Sequence, residues 1–355
     1  MGNKNKIDEI KIPAELSIKE CLKKIDQGAR KILYICDKNG CLLGSLTDGD
    51  IRRRLLETGN LQEEIVHCFN RNPIFVTENN YTIEEIKKLM LGHMIEGLPI
   101  LDENKKIIDI LFWVDVFGEG SKTYRKINIP VVIMAGGKGE RLGPFTKILP
   151  KCLIPVGERP IIEMIMDRFS QHGVRHFYVS LNYKGEMVQT YFGGTEKKYT
   201  IDYIWEKEFF GTAGSLKLLP PDISENFIVS NCDIIVDVDY ADLLRFHRRN
   251  KNILTVVGSI QHYKVPYGII HFKKEGKLQE IQEKPEFDFT VNTGVYVLSR
   301  QALAYIPEDR HFDMTDFIQT LLNSKENVGV YPVSQKSYID IGRWEEYKEY
   351  TQKLI

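Results

Sequence analysis

Along the first third of the chain, short apolar runs at residues 31–36 and 97–101 are each followed by a polar turn, 37–40 or 102–105. A second apolar run, 41–46 or 106–112, closes each group, the signature of paired strands. Ahead of each group a Ser or Thr is followed three residues later by Glu (Ser17 and Glu20, Thr82 and Glu85). That capping-box spacing predicts helices over 18–27 and 83–92. The two groups superpose at an offset of 65 residues. Ser17-Ile18 falls on Thr82-Ile83, Lys23 on Lys88, Ile35 on Ile100, Asp37 on Asp102 and Asp50 on Asp115. An ungapped repeat of this length means two copies of one unit. Residues 118–126 then lose apolar periodicity and read as a linker. At Val131-Val132-Ile133-Met134-Ala135 the chain enters a continuous apolar run, as a strand buried on both faces requires.

Composition narrows the class. The 355 residues suffice for two or three domains. With 48 Lys+Arg against 49 Asp+Glu the net charge is −1, so a surface that wraps nucleic acid or binds anionic membrane is not expected. At 43% hydrophobic and 27% charged residues the chain reads as soluble and globular. No apolar leader follows Met1 and no run of about 18 apolar residues occurs, so a cytoplasmic location is expected. Six scattered cysteines without a CxxC pair read as reduced thiols.

The chemistry gathers directly after the 131–135 run, in Gly136-Gly137-Lys138-Gly139-Glu140-Arg141-Leu142 through Pro150-Lys151. A glycine loop at the end of a buried strand lets backbone N–H groups approach phosphates, and Arg141 and Lys151 add a fork and a point charge. Neither a Walker loop nor a GxGxxG fingerprint is completed.

Here the sequence resembles the sugar-1-phosphate nucleotidyltransferases, through Gly136-Gly137, Arg141-Leu142, Pro144, Thr146, Pro150-Lys151, Leu153 and Pro155-Val156. The resemblance continues in order over about 225 residues. It implies nucleotide contacts at Ala135, Gly136, Gly137 and Gly139 and in the segment Gly211-Thr212-Ala213-Gly214. Contacts to the sugar phosphate are implied at Tyr267-Gly268, Glu283-Lys284 and Asn292-Thr293-Gly294. A Mg²⁺ ion is implied on Asp233 and Asp340, with Cys232 standing where the family has glycine. Arg141, Lys151 and Asp233 are the implied catalytic residues, with Arg141 on the departing phosphates, Lys151 on the α-phosphate and Lys284 on the incoming sugar phosphate. The N-terminal repeat resembles a CBS-domain pair, with Thr47 and Asp50 at ribose-contacting positions. In the second copy Phe112 replaces the Thr. The same two residues could instead cap a helix starting near Ile51.

The expected architecture is α/β: a tandem CBS (βαββα) pair over 1–120, its repeats at about 7–60 and 72–120, then a Rossmann-like mixed-sheet nucleotidyltransferase domain over 128–355. The resemblance implies transfer from a nucleoside triphosphate, GTP foremost, to glucosamine-1-phosphate or mannose-1-phosphate for surface glycan or nonulosonic acid biosynthesis. Thymidylyl or uridylyl transfer to a glucose-1-phosphate-type substrate stays open, as does a non-catalytic nucleotide sensor. A regulatory nucleotide on the CBS pair and a homo-oligomer are the other expected partners. The residues 199–205 read as strand packing, 343–355 as a closing helix, and His247-Arg248-Arg249 as a solvated helix end.

Overall fold

The computed structural model describes residues 7–28, 31–78, 80–117, 124–143, 145–194, 197–342 and 346–348. The chain divides into two units, Met1–Tyr124 and Arg125–Ile355. Most of the expected linker and of the expected 343–355 helix falls outside the described residues.

In the N-terminal unit each copy runs strand, helix, strand, strand, helix. The first comprises β1 (Lys11–Ile12), α1 (Ile18–Gln27), β2 (Ile32–Cys36), β3 (Leu42–Thr47) and α2 (Asp48–Thr58). The second comprises β4 (Val76–Thr77), α3 (Ile83–His93), β5 (Gly97–Leu101), β6 (Ile107–Phe112) and α4 (Trp113–Phe117). Each forms a three-stranded sheet with its first strand parallel to its second and its second antiparallel to its third. The repeat extends to single hydrogen bonds. Asp37 Oδ1 accepts from the Asn39 and Cys41 amides, and Asp102 Oδ1 accepts from those of Asn104 and Lys106. The register slips at Ile35/Cys36 in one copy and at Ile100/Leu101 in the other.

The C-terminal unit is built on a seven-stranded mixed sheet. Its strands are β7 (Val131–Met134), β10 (His176–Leu181), β11 (Thr200–Trp205), β12 (Asn226–Asn231), β14 (Leu254–Lys264), β17 (Glu286–Ser299) and β18 (Val328–Val333). They lie in the order β11-β10-β7-β12-β17-β14-β18. Short pairs accompany it: β8 (Pro155–Val156) with β9 (Arg159–Pro160), β13 (Ile234–Val236) with β19 (Tyr338–Asp340), and β15 (Ile269–Phe272) with β16 (Leu278–Gln282). The apolar run at 131 behaves as its composition demands. Val131 and Ile133 pack into one core and Val132 into the other, all fully buried. Helices α5 (Ile161–Gln171), α6 (Gly185–Gly193) and α8 (Tyr240–Arg249) cover the first face, and α7 (Gly211–Gly214) and α9 (Met314–Asn323) the second. Burial on both faces is what permits an uninterrupted apolar strand.

One expectation is corrected. His247 is not solvated: it lies on the buried side of α8 with Leu243 and Leu244, at 1% exposure. Its ring nitrogens lie 2.9 Å from Thr255 Oγ1 and 3.1 Å from Ser299 Oγ. The helical period carries position 247 inward, three and four residues on from Leu244 and Leu243, while Arg248 and Arg249 face water.

Burial lowers the His247 pKa to about 4 and does the same to His172. Above pH 6.5 both histidines are neutral whether folded or not; below it only the unfolded chain takes the protons, so stability falls until the folded pKa is reached. By pH 5.5 each should cost about 1.4 kcal/mol. Thermal unfolding followed from pH 7.5 to 5.5 should show the loss, and His247→Gln should flatten its slope.

Candidate active site

The C-terminal end of β7 delivers the glycine loop, whose start is tied down by the Ala135 amide donating to the Ser180 carbonyl at 3.0 Å. Gly139 has φ +68 and opens the turn Glu140–Leu142. A Cβ there would come within 2.7 Å of Lys151 Cβ and 2.9 Å of Thr146 Cγ2, so glycine is what lets Lys151 pass beneath the loop. Lys151 heads the short turn Lys151–Leu153, anchored by fully buried Cys152.

Lys151 Nζ forms a buried ion pair with Asp233 Oδ2. Asp233 follows β12, the neighbour of β7, and the antiparallel pairing of β13 with β19 sets Ile234 opposite Asp340. The Ile341 amide donates to the Asp233 carbonyl at 2.9 Å, and the Gly342 amide to Asp340 Oδ1 at 2.9 Å. Both carboxylates are buried, at 2% and 9% exposure. Burial and the facing Asp233 charge raise the Asp340 pKa; Arg141 and Lys151 pull against them. Arg141, Lys151, Asp233 and Asp340 thus share one electrostatic neighbourhood. Cys232, in place of the expected glycine, lies outside the left-handed region, so the turn into Asp233 makes no demand for glycine. Its thiol, by hydrogen bonding, and burial push the Cys152 thiol up.

Two converging buried carboxylates fit a hard divalent cation. Among the described residues no set of three or more His, Cys, Asp and Glu side chains gathers, so the remaining ligands would be water and substrate oxygens, as Mg²⁺ accepts.

The wall beside the loop holds a residue that the sequence reading passed over. Glu206, at 7% exposure, ends the strand-like stretch before Gly211-Thr212-Ala213-Gly214. Its carboxylate accepts from Ser180 Oγ and from the Phe210 amide at 3.2 Å. A Cβ on Gly136 would come within 2.6 Å of Glu206 Oε1. Burial raises the Glu206 pKa, and the Ser180 hydrogen bond partly opposes this. A charged residue closing an alternating strand was the available signal.

The Gly211–Gly214 segment is a one-turn helix. Gly211 has φ +80, and a Cβ there would meet the Phe312 carbonyl at 2.8 Å. The Thr212 hydroxyl accepts from the Met314 amide at 2.8 Å and lies 3.2 Å from Asp313 Oδ1, so it fastens the segment to α9. Ala213 and Gly214 donate their amides to the Phe312 carbonyl.

On the other side Gly294, at φ +81, abuts the Asn231 side chain two residues before Asp233. Asn292 Oδ1 accepts from the Gly294 amide at 3.0 Å, and the buried Thr293 hydroxyl donates to the Val257 carbonyl at 2.8 Å. Tyr267-Gly268 and Glu283-Lys284 stand at the two roots of the β15–β16 hairpin. Lys284 lies 3.8 Å from Glu283, with both side chains exposed.

In the N-terminal unit Thr47 and Asp50 form a capping box on α2, which starts at Asp48 rather than near Ile51. Asp50 Oδ2 accepts from the Thr47 amide at 2.8 Å and from its hydroxyl at 2.7 Å, and Asp50 Oδ1 is paired with Arg53.

The nucleotidyl transferase family model matches residues 130–355, the whole of this sheet and its site. This chain belongs to that family. Residues 6–57 and 64–119 match the CBS domain. The chain is 34% identical over 176 residues to a mannose-1-phosphate guanyltransferase of Yarrowia lipolytica, covering 47% of this chain and 48% of that protein. It is 28% identical over 237 residues to a UTP–glucose-1-phosphate uridylyltransferase of Synechocystis, covering 61% of each. The chain therefore spans between about half and three fifths of these relatives. The crystal structure of HddC from Yersinia pseudotuberculosis matches at TM-score 0.52 and 26% identity, over 64% of this chain and all of that one. HddC complexed with GMP-PN matches at TM-score 0.50 and the same identity and chain coverages.

A methyl group at Gly342 would meet Asp233 Oδ2 and come within 2.9 Å of Asp340 Oδ1. Under the nucleotidyl-transfer reading proposed below, Gly342→Ala should therefore lower turnover by about a hundredfold or more, as a misplaced catalytic group does. Steady-state pyrophosphate release, with thermal unfolding as the control for folding, measures it.

Proposed function

We propose that the chain transfers a nucleotidyl group, guanylyl foremost, from a nucleoside triphosphate to a sugar-1-phosphate, glucosamine-1-phosphate or mannose-1-phosphate, with release of pyrophosphate. The observation that carries this reading is the facing of Asp233 and Asp340 with Lys151 and Arg141 beside a glycine loop. It supports chemistry between two polyanions in which the protein supplies no nucleophile.

An oxygen of the sugar phosphate attacks the α-phosphorus; that P–O bond forms as the bond from the α-phosphorus to the bridging oxygen breaks, and pyrophosphate carries away the electron pair. The attacking oxygen is already anionic, so positioning and charge neutralisation are the tasks left to the protein. Arg141, exposed at the loop, takes the departing β- and γ-phosphates. Lys151 is engaged with Asp233 before substrate arrives and turns to the α-phosphate when another cation relieves Asp233. Asp233 and Asp340 would hold Mg²⁺, which when bound neutralises phosphate charge. Lys284, at the hairpin root, meets the incoming sugar phosphate, with Asn292, Thr293 and Gly294 as further contacts in this reading.

Glu206 supports the choice of guanine. Of the four bases guanine presents adjacent N–H and NH₂ donors on its pairing edge, and a carboxylate offers two acceptor oxygens to match. In this reading a base entering over the loop meets the buried carboxylate beside Gly136. Similarity to a guanyltransferase and to a protein crystallised with GMP-PN points the same way. For Thr47 and Asp50 the mutual capping box favours a structural role over a ribose site.

A pyrophosphate-release screen of four nucleoside triphosphates against glucosamine-, mannose- and glucose-1-phosphate tests the reading. GTP should give the highest kcat/KM. Preference for UTP or dTTP would replace the guanylyl assignment, and no turnover with any pair would favour a nucleotide sensor. Asp233→Ala should lose about a thousandfold in turnover or more, as removal of a central charge does. Glu206→Gln should raise KM for GTP far more than it lowers kcat.

A further inference from the structure

The glycine loop leaves β7 at Ala135 and returns at Lys151, and between those ends it folds into two short turns, Glu140–Leu142 and Phe145–Lys147. In the second turn the Ile148 and Leu149 amides both donate to the Phe145 carbonyl, at 2.9 Å each. No backbone amide among the described residues takes the carbonyls of Thr146 and Lys147, the last two of that turn. Such carbonyls need another donor.

Lys184 supplies it. This residue follows β10 and caps the start of α6, and its Nζ donates to the Lys147 carbonyl at 2.6 Å and lies 3.5 Å from that of Thr146. A lysine at the end of a helical turn commonly takes its free carbonyls in this way. The two residues before Lys184 reach the same loop. The Tyr183 amide lies 3.5 Å from the Gly136 carbonyl and the Tyr183 hydroxyl 3.5 Å from that of Thr146, while Asn182 Cβ would lie 3.3 Å from a Cβ on Gly136. Residues 182–184 therefore touch both legs of a loop whose middle carries Arg141. Thr146 passes the contact inward. It is buried, and its Cγ2 shares with Lys151 Cβ the space that a side chain on Gly139 would need.

The backbone of Lys184 is strained to make this contact. Its φ of +54 lies in the left-handed region, which glycine occupies without penalty. Lys105, Lys251 and Lys325 share that region at exposed turns, and none of their ammonium groups makes a hydrogen bond among the described residues. Lys184 is half-buried and its ammonium is engaged. A side chain retained at a strained position and spent on one partner points to a use for that partner.

We infer, on the reading of that loop as the triphosphate site, that Lys184 is a positioning residue of the transferase, holding the glycine loop from outside in the shape that receives the nucleotide. Its ammonium is committed to protein carbonyls and touches no substrate. Without it two carbonyls lose their donor, and the nucleotide has to order the loop as it binds. That cost falls on the ground state and the transition state alike, so it enters the KM for the nucleotide and leaves kcat nearly untouched.

The test uses the full chain with Lys184→Met and Lys184→Arg. With the nucleoside triphosphate that the screen above prefers, Lys184→Met should raise KM about tenfold or more while kcat and the KM for the sugar-1-phosphate stay within about twofold. Lys184→Arg should restore most of the nucleotide KM, since a guanidinium also donates to carbonyls. Hydrogen–deuterium exchange of the unliganded chain needs no turnover: amides of residues 137–149 should exchange about tenfold faster or more in Lys184→Met, and those of β12 at the rate of the unmodified chain. Loop exchange at the unmodified rate overturns the inference whatever the kinetics, as does an active Lys184→Met with an unchanged nucleotide KM or with both KM values raised equally. A Lys184→Met chain that does not fold overturns it too, because the lysine then serves the fold as a whole. If no substrate pair is turned over, loop exchange alone decides, so failure of the transferase reading and failure of this one are told apart.

Discussion

A carboxylate buried at 2% exposure must have a cation, and around Asp233 the C-terminal unit of this chain is arranged to supply one. Breaking such a pair by removing one partner costs roughly 3–5 kcal/mol, because the remaining charge is stranded away from water. Lys151 is that cation in the structure. Its position depends on Gly139, whose missing side chain leaves room for the lysine stem. Asp340 depends on the β13–β19 pair, which holds a second carboxylate against the first despite their repulsion. Gly342 completes the set by leaving no methyl group between them. Five positions from three stretches of the sequence, 139–151, 233 and 340–342, are therefore fixed by one local charge balance. In the transfer proposed above that balance is exchanged: a cation arriving with the nucleotide replaces Lys151 at Asp233, and the freed Lys151 becomes a phosphate ligand.

What the sequence made legible follows the range of the interactions involved. Capping boxes and turns are settled by neighbours within a few residues, so Ser17 with Glu20 and Thr82 with Glu85 gave helix starts that the structure keeps. The 131–135 run disclosed a strand buried on both faces because each of its residues must meet a core. The glycine loop with Arg141 and Lys151 was equally plain, since several fixed positions fall within about twenty residues. Glu206 was not legible, because its significance lies in Gly136, Ser180 and Phe210, which only the folded sheet brings to it. His247 was misread for a related reason. Its charged neighbours Arg248 and Arg249 dominate the local composition, while the helical period alone decides that position 247 turns inward.

The N-terminal repeat shows how duplicated sequence becomes duplicated structure and where the copies part. The Asp37 and Asp102 turns make the same pair of carboxylate–amide hydrogen bonds, and both sheets slip register at the same rung. At the helix that follows, one copy has Thr47 and the other Phe112. Asp115 still accepts from the Phe112 amide at 3.0 Å, but the hydroxyl half of the box is gone. The surviving half is the part that both copies use to begin a helix, so Asp50 and Asp115 each have a role in the fold.

The cations assigned to the two substrates stand on different scaffolds. Lys151 is held in a buried turn by Cys152 and by its pairing with Asp233, so it is in place before any ligand binds. Lys284 has φ +44, a left-handed conformation that costs a non-glycine residue about 1–2 kcal/mol. The Val265 amide donating to the Pro285 carbonyl at 3.0 Å ties the chain just beyond it to the end of the β14 strand. Its position is therefore set by the arm and hairpin, not by the core. Whatever orders that hairpin orders Lys284.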